Sequence, residues 1–241
     1  MTGAYAALTR NDPSALKRWV QDRRLVDADR LAGQGDLGPV LDYGCGDGAL
    51  AARLLLAGRT DQAVAFEPAP TLRAEAEALL DGVAGARVAA RSTDLADGWA
   101  RTAFCLEVFE HLPPRETETA LAELHRILAP GGRVVIGVPI EVGPPALAKG
   151  IFRMIRRASA FDARPGPILA AALGRPPRER EESPIGPGLA YYPHHLGFDH
   201  RAFFKQVGAW FQVERIVGSP LGGPLAVNSE AYLVARKGEA A

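Results

Sequence analysis

Apolar residues along the chain follow two patterns: short continuous runs, and recurrence every three or four positions. Together these patterns predict strands that alternate with helices. Short, mostly apolar runs such as PVLDY at 39–43, QAVAFE at 62–67 and RVVIGVP at 133–139 have the length and composition of buried strands. Weaker strands are predicted at 86–91 and 102–107. Strands that alternate with helices form a parallel sheet with helices on both faces.

Helices are predicted where apolar residues recur three or four positions apart. The clearest example is 115–132, whose apolar face consists of Leu121, Leu124, Ile127 and Leu128. Further helices are predicted at 13–32, 48–58, 71–82 and 199–210.

The predicted helix at 13–32 has its own start signals and apolar positions. Asp12 is placed to cap it, and Pro13 suits its first turn. Its apolar positions are Leu16, Trp19, Val20, Val26 and Leu31.

The alternation stops in a proline-rich segment at 141–190. Two short helices are predicted there, at 146–160 and 167–173, and no strand pattern is visible. Two further strands follow at 211–218 and 230–236. The connection between them is too short for a helical crossover, so we expect them to pair antiparallel at one edge of the sheet.

Composition narrows the function classes. Of the 241 residues, 47% are apolar and 23% charged, with 28 basic and 28 acidic residues. A chain without net charge has no electrostatic reason to bind a nucleic-acid backbone, so no nucleic-acid partner is expected. Two cysteines make no disulfide framework, and no secretory leader or long apolar span is visible. We therefore expect a cytoplasmic protein.

A glycine-rich turn, GCGDG at 44–48, follows the first predicted strand. Glycines there tolerate positive φ and let a ligand approach the backbone. On its own the turn fits a tight connection or a dinucleotide site, because the looser dinucleotide pattern also matches. Glu67 ends the second strand about 20 residues later, where a carboxylate accepts the hydroxyls of an adenosine ribose.

Later segments separate these alternatives. RSTDL at 91–95 places Asp94 where an adenine amino group would lie, although a solvated loop aspartate or a helix cap fits equally. CLEVFEHLPP at 105–114 is acid-rich, whereas a hydride-transfer enzyme would need a pair such as Tyr and Lys or His and Arg.

The ordered set of segments resembles the class I S-adenosylmethionine-dependent methyltransferases of the small bacterial type. VLDYGCGDG, VAFEP, CLEVFEHL and LHRILAPGGRVVIGVP are similar to successive motifs of that family. The likeness is strong over 38–140 and loose over 195–236. It implies a Rossmann-like sheet of seven strands in the order 3-2-1-4-5-7-6, with strand 7 antiparallel.

The resemblance implies one domain over 1–241. Its parts are a helical extension at 1–35, a cofactor-binding half at 36–140, an insertion or lid at 141–190, and a closing helix and strand pair at 191–241.

The resemblance also implies how S-adenosylmethionine would be held. Asp42 would lie near its ammonium group, Glu67 would hold the ribose, and Asp94 would meet the adenine. The full set of expected contacts is Asp42, Gly44, Cys45, Gly46, Gly48, Glu67, Pro68, Asp94, Leu95, Cys105 and Leu106.

Methyl transfer to a hydroxyl benefits from a base, and His111 is the candidate. The alternative is a structural histidine beside the cofactor. A second hypothesis is a divalent metal site built from Glu107, Glu110, His111 and His195, because carboxylates and imidazoles bind Mg²⁺ or Mn²⁺. The Glu-x-x-Glu-His spacing of Glu107, Glu110 and His111 resembles that of metal-dependent 2′-O-methyltransferases acting on RNA ends and of O-methyltransferases of ubiquinone synthesis.

The insertion leaves from the carboxyl end of a strand, where ligands of open α/β sheets lie, so it is expected to cover the acceptor. Trp19, Tyr191, Tyr192 and His195 are candidates to line the acceptor pocket. The basic, apolar helix at 146–160 suggests a peripheral membrane contact, against the alternative of packing on its own domain.

The sequence thus predicts an enzyme that methylates a small-molecule or envelope/quinone-type acceptor, with O-methylation favoured. Two alternatives remain: a metal-assisted 2′-O-methyltransferase of RNA ends, and a non-catalytic module that binds an adenosyl ligand.

Overall fold

The structure is a computed structural model and describes residues 15–156, 161–186 and 188–239. The cap predicted at Asp12, the proline at 13 and the end of the helix predicted at 146–160 lie outside the described residues.

A seven-stranded sheet forms the centre of the fold, in the order β3-β2-β1-β4-β5-β9-β8. Its strands are β1 Val40–Tyr43, β2 Ala63–Phe66, β3 Ala86–Ala89, β4 Ala100–Leu106, β5 Leu128–Pro139, β8 Gln212–Ser219 and β9 Glu230–Arg236. The first five are parallel, and β9 pairs antiparallel with both β5 and β8. This confirms the predicted fold class. The strands predicted as the sixth and seventh are β8 and β9 here, because a separate hairpin supplies β6 and β7.

Seven helices of the described residues accompany the sheet. They are α1 Ala15–Ala32, α2 Ala49–Leu56, α3 Pro70–Leu80, α4 Pro114–Ile127, α5 Pro144–Arg156, α6 Pro165–Ala172 and α7 His200–Trp210. The apolar face predicted for α4 is confirmed at Leu121, Leu124 and Ile127, which are fully buried. The predicted end of this helix at 132 is wrong, because the helix ends at Ile127 and the equally buried Leu128 begins β5.

A two-stranded hairpin separates the insertion from α7, and the sequence pattern did not predict it. Its strands are β6 Ser183–Gly186 and β7 Leu189–Tyr191, which form their own small sheet. Both strands are short, and β6 contains a proline, so no alternation of apolar and polar residues marks them.

Helix α1 packs through its C-terminal half, contrary to part of its predicted face. Leu31 is buried as expected, together with Ala28 and Ala32. Trp19 is 48% exposed and Val26 37% exposed, so neither belongs to the core. Trp19 also lies outside the lining of the main cavity, which corrects its assignment to an acceptor pocket.

None of the described helices combines the length and the apolar character that crossing a membrane requires. The carboxyl ends of β1, β2 and β4 meet at one edge of the sheet, because the three strands are parallel and adjacent. That edge is where a ligand of an open α/β sheet is expected.

Candidate functional site

A cavity of about 770 Å³ opens at the carboxyl ends of β1, β2 and β4. Its floor includes Gly44, Gly46, Glu67 and Leu106, which directly follow or end those strands. The hairpin β6–β7 contributes Ile185, Gly188, Leu189, Ala190 and Tyr191 to the opposite wall. The cavity therefore lies between the predicted cofactor loop and a cover that comes from the end of the insertion.

The glycine-rich turn has the backbone that was predicted for it. Gly44, Gly46 and Gly48 have φ values of 72°, 57° and 77°, which favour glycine. A Cβ on Gly44 would lie 2.4 Å from Val108 Cγ2, so the missing side chain makes room for the loop after β4. Gly48 instead begins α2, and a Cβ there would lie 3.0 Å from Leu80 of α3.

Glu67 holds the two loops of this floor together. Its Oε2 accepts the Gly46 N–H at 3.0 Å, and its Oε1 accepts the Ala69 N–H at 2.9 Å. Each carboxylate oxygen keeps a further lone pair for hydroxyl donors. Burial raises the pKa of Glu67, which the two N–H bonds counter in part. Pro68 lines the cavity directly beside it.

Asp42 lies behind the glycine turn and is almost fully buried. It lines a smaller adjoining cavity of about 70 Å³ together with Cys45, and Gly44 and Leu106 line both cavities. Among the described residues, no donor bonds to its Oδ2. Burial raises its pKa to about 7, and the acids Asp47 and Glu67 add to the rise.

Other predicted contact residues lie outside the cavity lining. Asp94 pairs with Arg91 at 3.0 Å on an exposed turn, while Leu95 and Cys105 are buried in the core. Gly48 also lines neither cavity. The roles of these four residues stay predictions.

His111 lines the cavity and has a defined tautomer. Its Nδ1 lies 2.7 Å from the Tyr192 carbonyl oxygen, which can only accept, so Nδ1 carries the proton. Its Nε2 lies 3.1 Å from His195 Nε2 and must accept a hydrogen bond from it. Burial and the Arg180 charge together lower the pKa of His111 to about 4, against the raising effect of the hydrogen bond to Tyr192. The imidazole is neutral around pH 7, with its lone pair on Nε2.

Glu110, His111 and His195 form a cluster whose ligand atoms lie within 4.8 Å of one another. Glu110 is fully buried, and among the described residues neither of its oxygens has a hydrogen-bond donor. Burial raises its pKa, and the nearby Glu107 raises it again. These groups suit a divalent cation as ligands, so the predicted metal site is assembled in part.

Glu107, the fourth residue of the metal hypothesis, is engaged elsewhere. It has a φ of 55°, unusual outside glycine, and its Oε2 lies 3.2 Å from the Arg24 guanidinium. Arg24 also donates to both oxygens of Glu230 on β9. Burial raises the pKa of Glu107 to about 7, against the lowering effect of Arg24.

Arg24 and Gln21 of α1 line both cavities and were missed from the sequence. The pairing of Arg24 with Glu230 joins residues 206 positions apart, and no local pattern marks such a contact. The hairpin residues were missed except Tyr191, which stacks on His111 with ring centroids 4.4 Å apart. Tyr192, also predicted for the pocket, lies under the Arg180 guanidinium instead.

Residues 40–132 match a family model described as "Methyltransferase domain". This match and the strand order of the sheet support the resemblance to the class I S-adenosylmethionine-dependent methyltransferases. No curated protein matches the chain.

Solved structures of low sequence identity share the fold over nearly the whole chain. One is the N-methyltransferase NodS from Bradyrhizobium japonicum WM9 in complex with S-adenosyl-L-homocysteine, with a TM-score of 0.58 and 17% identity over 95% of this chain and 91% of that one. Another is the 1,6-didemethyltoxoflavin-N1-methyltransferase of Burkholderia thailandensis, with a TM-score of 0.58 and 19% identity over 98% and 89%. The [4+2]-cyclase SpnF has a TM-score of 0.62 and 16% identity over 96% and 86%.

The buried Asp42 carboxyl predicts a specific pH dependence of stability. Between its ordinary pKa near 3.8 and its folded pKa of about 7, the folded chain keeps a proton that the unfolded chain releases. The free energy of unfolding therefore decreases with rising pH in that range, by at most about 1.4 kcal/mol per pH unit from this group. We expect Asp42→Asn to make this slope less steep, measured by urea unfolding between these pH values, while the buried acids Glu67, Glu107 and Glu110 keep their own contributions.

The control is Asp22→Asn, an exposed acid that lines the same small cavity. It should leave the pH dependence as in the wild type. Equal slopes for the wild type and Asp42→Asn would contradict the prediction.

Proposed function

We propose that the chain transfers the methyl group of S-adenosylmethionine to a hydroxyl of a small, largely apolar acceptor of quinone or envelope type. The observation that supports it most is the neutral His111, which lines a large cavity above the glycine turn and whose Nε2 lone pair accepts a hydrogen bond from His195. S-adenosylmethionine would supply a methyl group on a positively charged sulfur.

The floor of the cavity suits the methyl donor. Glu67 is held rigidly by two N–H bonds and keeps lone pairs for two ribose hydroxyls. Gly44 and Gly46 line the large cavity, and Leu106, where β4 ends, lines both cavities. Asp42, buried and without a donor at Oδ2, would stabilise an ammonium group through the small cavity.

The opposite wall suits an aromatic or apolar acceptor. Tyr191 stacks on His111, and Leu112, Ile185 and Leu189 surround them in the lining. An acceptor ring between these side chains would present its hydroxyl near His111. The enclosed geometry would contribute by keeping the acceptor oxygen aligned with the methyl group.

A low pKa at His111 also indicates which hydroxyls it can serve. A base with a pKa of about 4 remains unprotonated at neutral pH but accepts protons weakly. It matches an acidic hydroxyl such as a phenol better than an alcohol, since phenols ionise with a pKa near 10. A phenolic, quinone-type acceptor is consistent with this.

A metal-assisted form of the reaction is the second candidate. It is supported by the buried Glu110, whose carboxylate lies beside His111 and His195 without a hydrogen-bond donor from the described residues. Glu110, His111 and His195 would hold a divalent cation, which would supply a positive charge for an acceptor oxygen. Glu107 would have to leave Arg24 to join them.

RNA ends and a purely regulatory role receive less support. The chain has no net charge to attract a phosphate backbone. A regulatory module would not need a large cavity beyond the glycine turn, with a histidine pair in its wall.

Glu67→Ala should weaken the binding of S-adenosylhomocysteine by at least about tenfold, because it removes the ribose acceptor and the support of Gly46. Titration calorimetry with the full chain measures this. The control is Glu77→Ala on α3, whose side chain is 60% exposed and which should bind normally. Unchanged affinity in a folded Glu67→Ala would contradict the assignment of the cavity floor.

Methyl transfer is tested with S-adenosylmethionine that carries a radioactive methyl group. The protein is incubated with an organic-solvent lipid extract, a filtered metabolite extract and purified small RNA. We expect labelled product in the lipid or metabolite fraction that resists alkaline hydrolysis, as a methyl ether does, and a large loss of rate in His111→Asn at unchanged S-adenosylhomocysteine affinity. Label in RNA, or on nitrogen, would contradict the proposal.

The metal candidate is tested apart from activity. Protein purified without chelator should contain about one equivalent of Mn²⁺ or Mg²⁺ after loading and dialysis, and Glu110→Gln should abolish retention, because the amide cannot supply a negative ligand. Metal analysis and titration calorimetry measure this, with Glu116→Gln of the cavity wall as the control. Equal retention in both variants, or none in the wild type, would exclude the cluster as a metal site.

A further inference from the structure

Helices α5 and α6 of the insertion form an antiparallel pair. Ala146 and Ala171 belong to one buried cluster. A Cβ on Gly150 would lie 2.3 Å from Ile168 Cγ2. Residues later in α5 therefore contact residues earlier in α6, which is the arrangement of antiparallel helices.

The antiparallel packing brings the apolar residues next to these contacts onto one side of the pair. Leu147, Ile151 and Leu169 each follow a contact residue by one position, about 100° around the helix. Because the two helices run in opposite directions, this rotation places the next residue of each helix on the same side of the pair. All three are exposed, by 42%, 46% and 56%.

The exposed stripe continues along both helices at the i, i+4 spacing. Ile155 is 79% exposed and Leu173 is 71% exposed. We call Leu147, Ile151, Ile155, Leu169 and Leu173 the apolar face. Contiguous exposed aliphatic side chains of this number are unusual on a free surface and mark an interaction site.

A buried ion cluster fixes the other side of α5 to the sheet. Glu141, at the end of β5, is fully buried and accepts hydrogen bonds from Lys149 and from Arg153 at 2.8–3.1 Å. Arg153 also lies 3.5 Å from Asp162. These contacts prevent α5 from rotating to bury the apolar face.

The sequence around the apolar face carries an excess of basic residues. Residues 141–182 contain eight lysines and arginines and five acids, Glu141, Asp162, Glu179, Glu181 and Glu182, in a chain without net charge. Apart from the two cations that bind Glu141, the basic residues are Arg156, Arg157, Arg164, Arg175, Arg178 and Arg180. Arg175 and Arg178 are exposed directly after α6.

We propose that the apolar face docks on an anionic lipid surface. Exposed aliphatic side chains flanked by arginines suit the boundary between acyl chains and negatively charged headgroups. Binding of a protein partner or of a second copy of the chain would explain the apolar face. It would not explain the excess of basic residues in the segment that carries this face. The inference requires no particular acceptor and does not rest on the proposed function.

The test is co-sedimentation of the full chain with two kinds of vesicle, phosphatidylcholine alone and phosphatidylcholine mixed equally with phosphatidylglycerol. We expect binding to the mixed vesicles that weakens as salt is raised, and little binding to the neutral ones. Ile155→Asp should lower binding by about tenfold or more, the factor that one buried aliphatic side chain contributes. Leu56→Asp on α2, also 79% exposed, is the matched control and should bind as the wild type.

A second pair of variants tests the proposal in case Ile155→Asp fails to fold. Leu173→Asp should lose binding, and Leu221→Asp, equally exposed at 71%, should not. Equal losses in test and control variants, or no binding to mixed vesicles, would overturn the proposal. So would a dimer in sedimentation equilibrium that Ile155→Asp dissociates. The affinity for S-adenosylhomocysteine is measured on the same samples. If this affinity is normal, a loss of vesicle binding is independent of any failure of the proposed function.

Discussion

The site depends on one carboxylate that joins two loops. Glu67 accepts N–H bonds from Gly46, after β1, and from Ala69, after β2, so it sets the distance between the ends of two neighbouring strands. The bonds offset part of the cost of burying a carboxylate. Asp42, a short distance behind, has no such compensation at Oδ2, and its pKa is raised to about 7. A floor that contains buried acids is stabilised by a cationic ligand, and the proposed methyl donor carries both an ammonium and a sulfonium group.

A second buried cluster makes α1 part of the site. Arg24 lies between Glu107 and Glu230, and its backbone carbonyl accepts the hydroxyl of Tyr232 on β9. Removing one charge from such a cluster leaves the others uncompensated, which is costly. Glu107 has a left-handed backbone, a conformation that persists only when surrounding contacts enforce it. The ion pair with Arg24 provides that contact, so α1 helps to shape the loop that carries Val108 and His111.

The fold could be predicted because its determinants are local or topological. Buried apolar runs defined the five parallel strands, and the short connection at 219–228 implied the antiparallel edge. The hairpin β6–β7 escaped prediction because neither of its strands is a buried apolar run. Strands β1 and β2 are equally short at four residues each, but all of their residues are buried.

The site could be predicted mainly in the loops that follow the parallel strands. Gly46, Glu67 and His111 lie within five residues of the ends of β1, β2 and β4, and they line the cavity. Asp94 lies in the corresponding loop after β3, but Arg91, three positions away, pairs with it on an exposed turn. Arg24 could not be predicted, because its partners come from β9 and from the loop after β4. Long-range ion pairs leave no pattern in the sequence around either partner.

The two proposed chemistries compete for a single lone pair. The Tyr192 carbonyl fixes the proton of His111 on Nδ1, which leaves Nε2 as the only atom that can accept a proton or bind a metal ion. Without a metal, His195 donates to this atom and must release it before His111 can act as a base. With a metal, both Nε2 atoms and the Glu110 carboxylate would share one cation, and the buried charge of Glu110 would be compensated. The buried carboxylate is thus what distinguishes the two cases. A site that works by base catalysis alone has no use for an acid at Glu110, where burial and the neighbouring Glu107 raise the pKa of the carboxyl group.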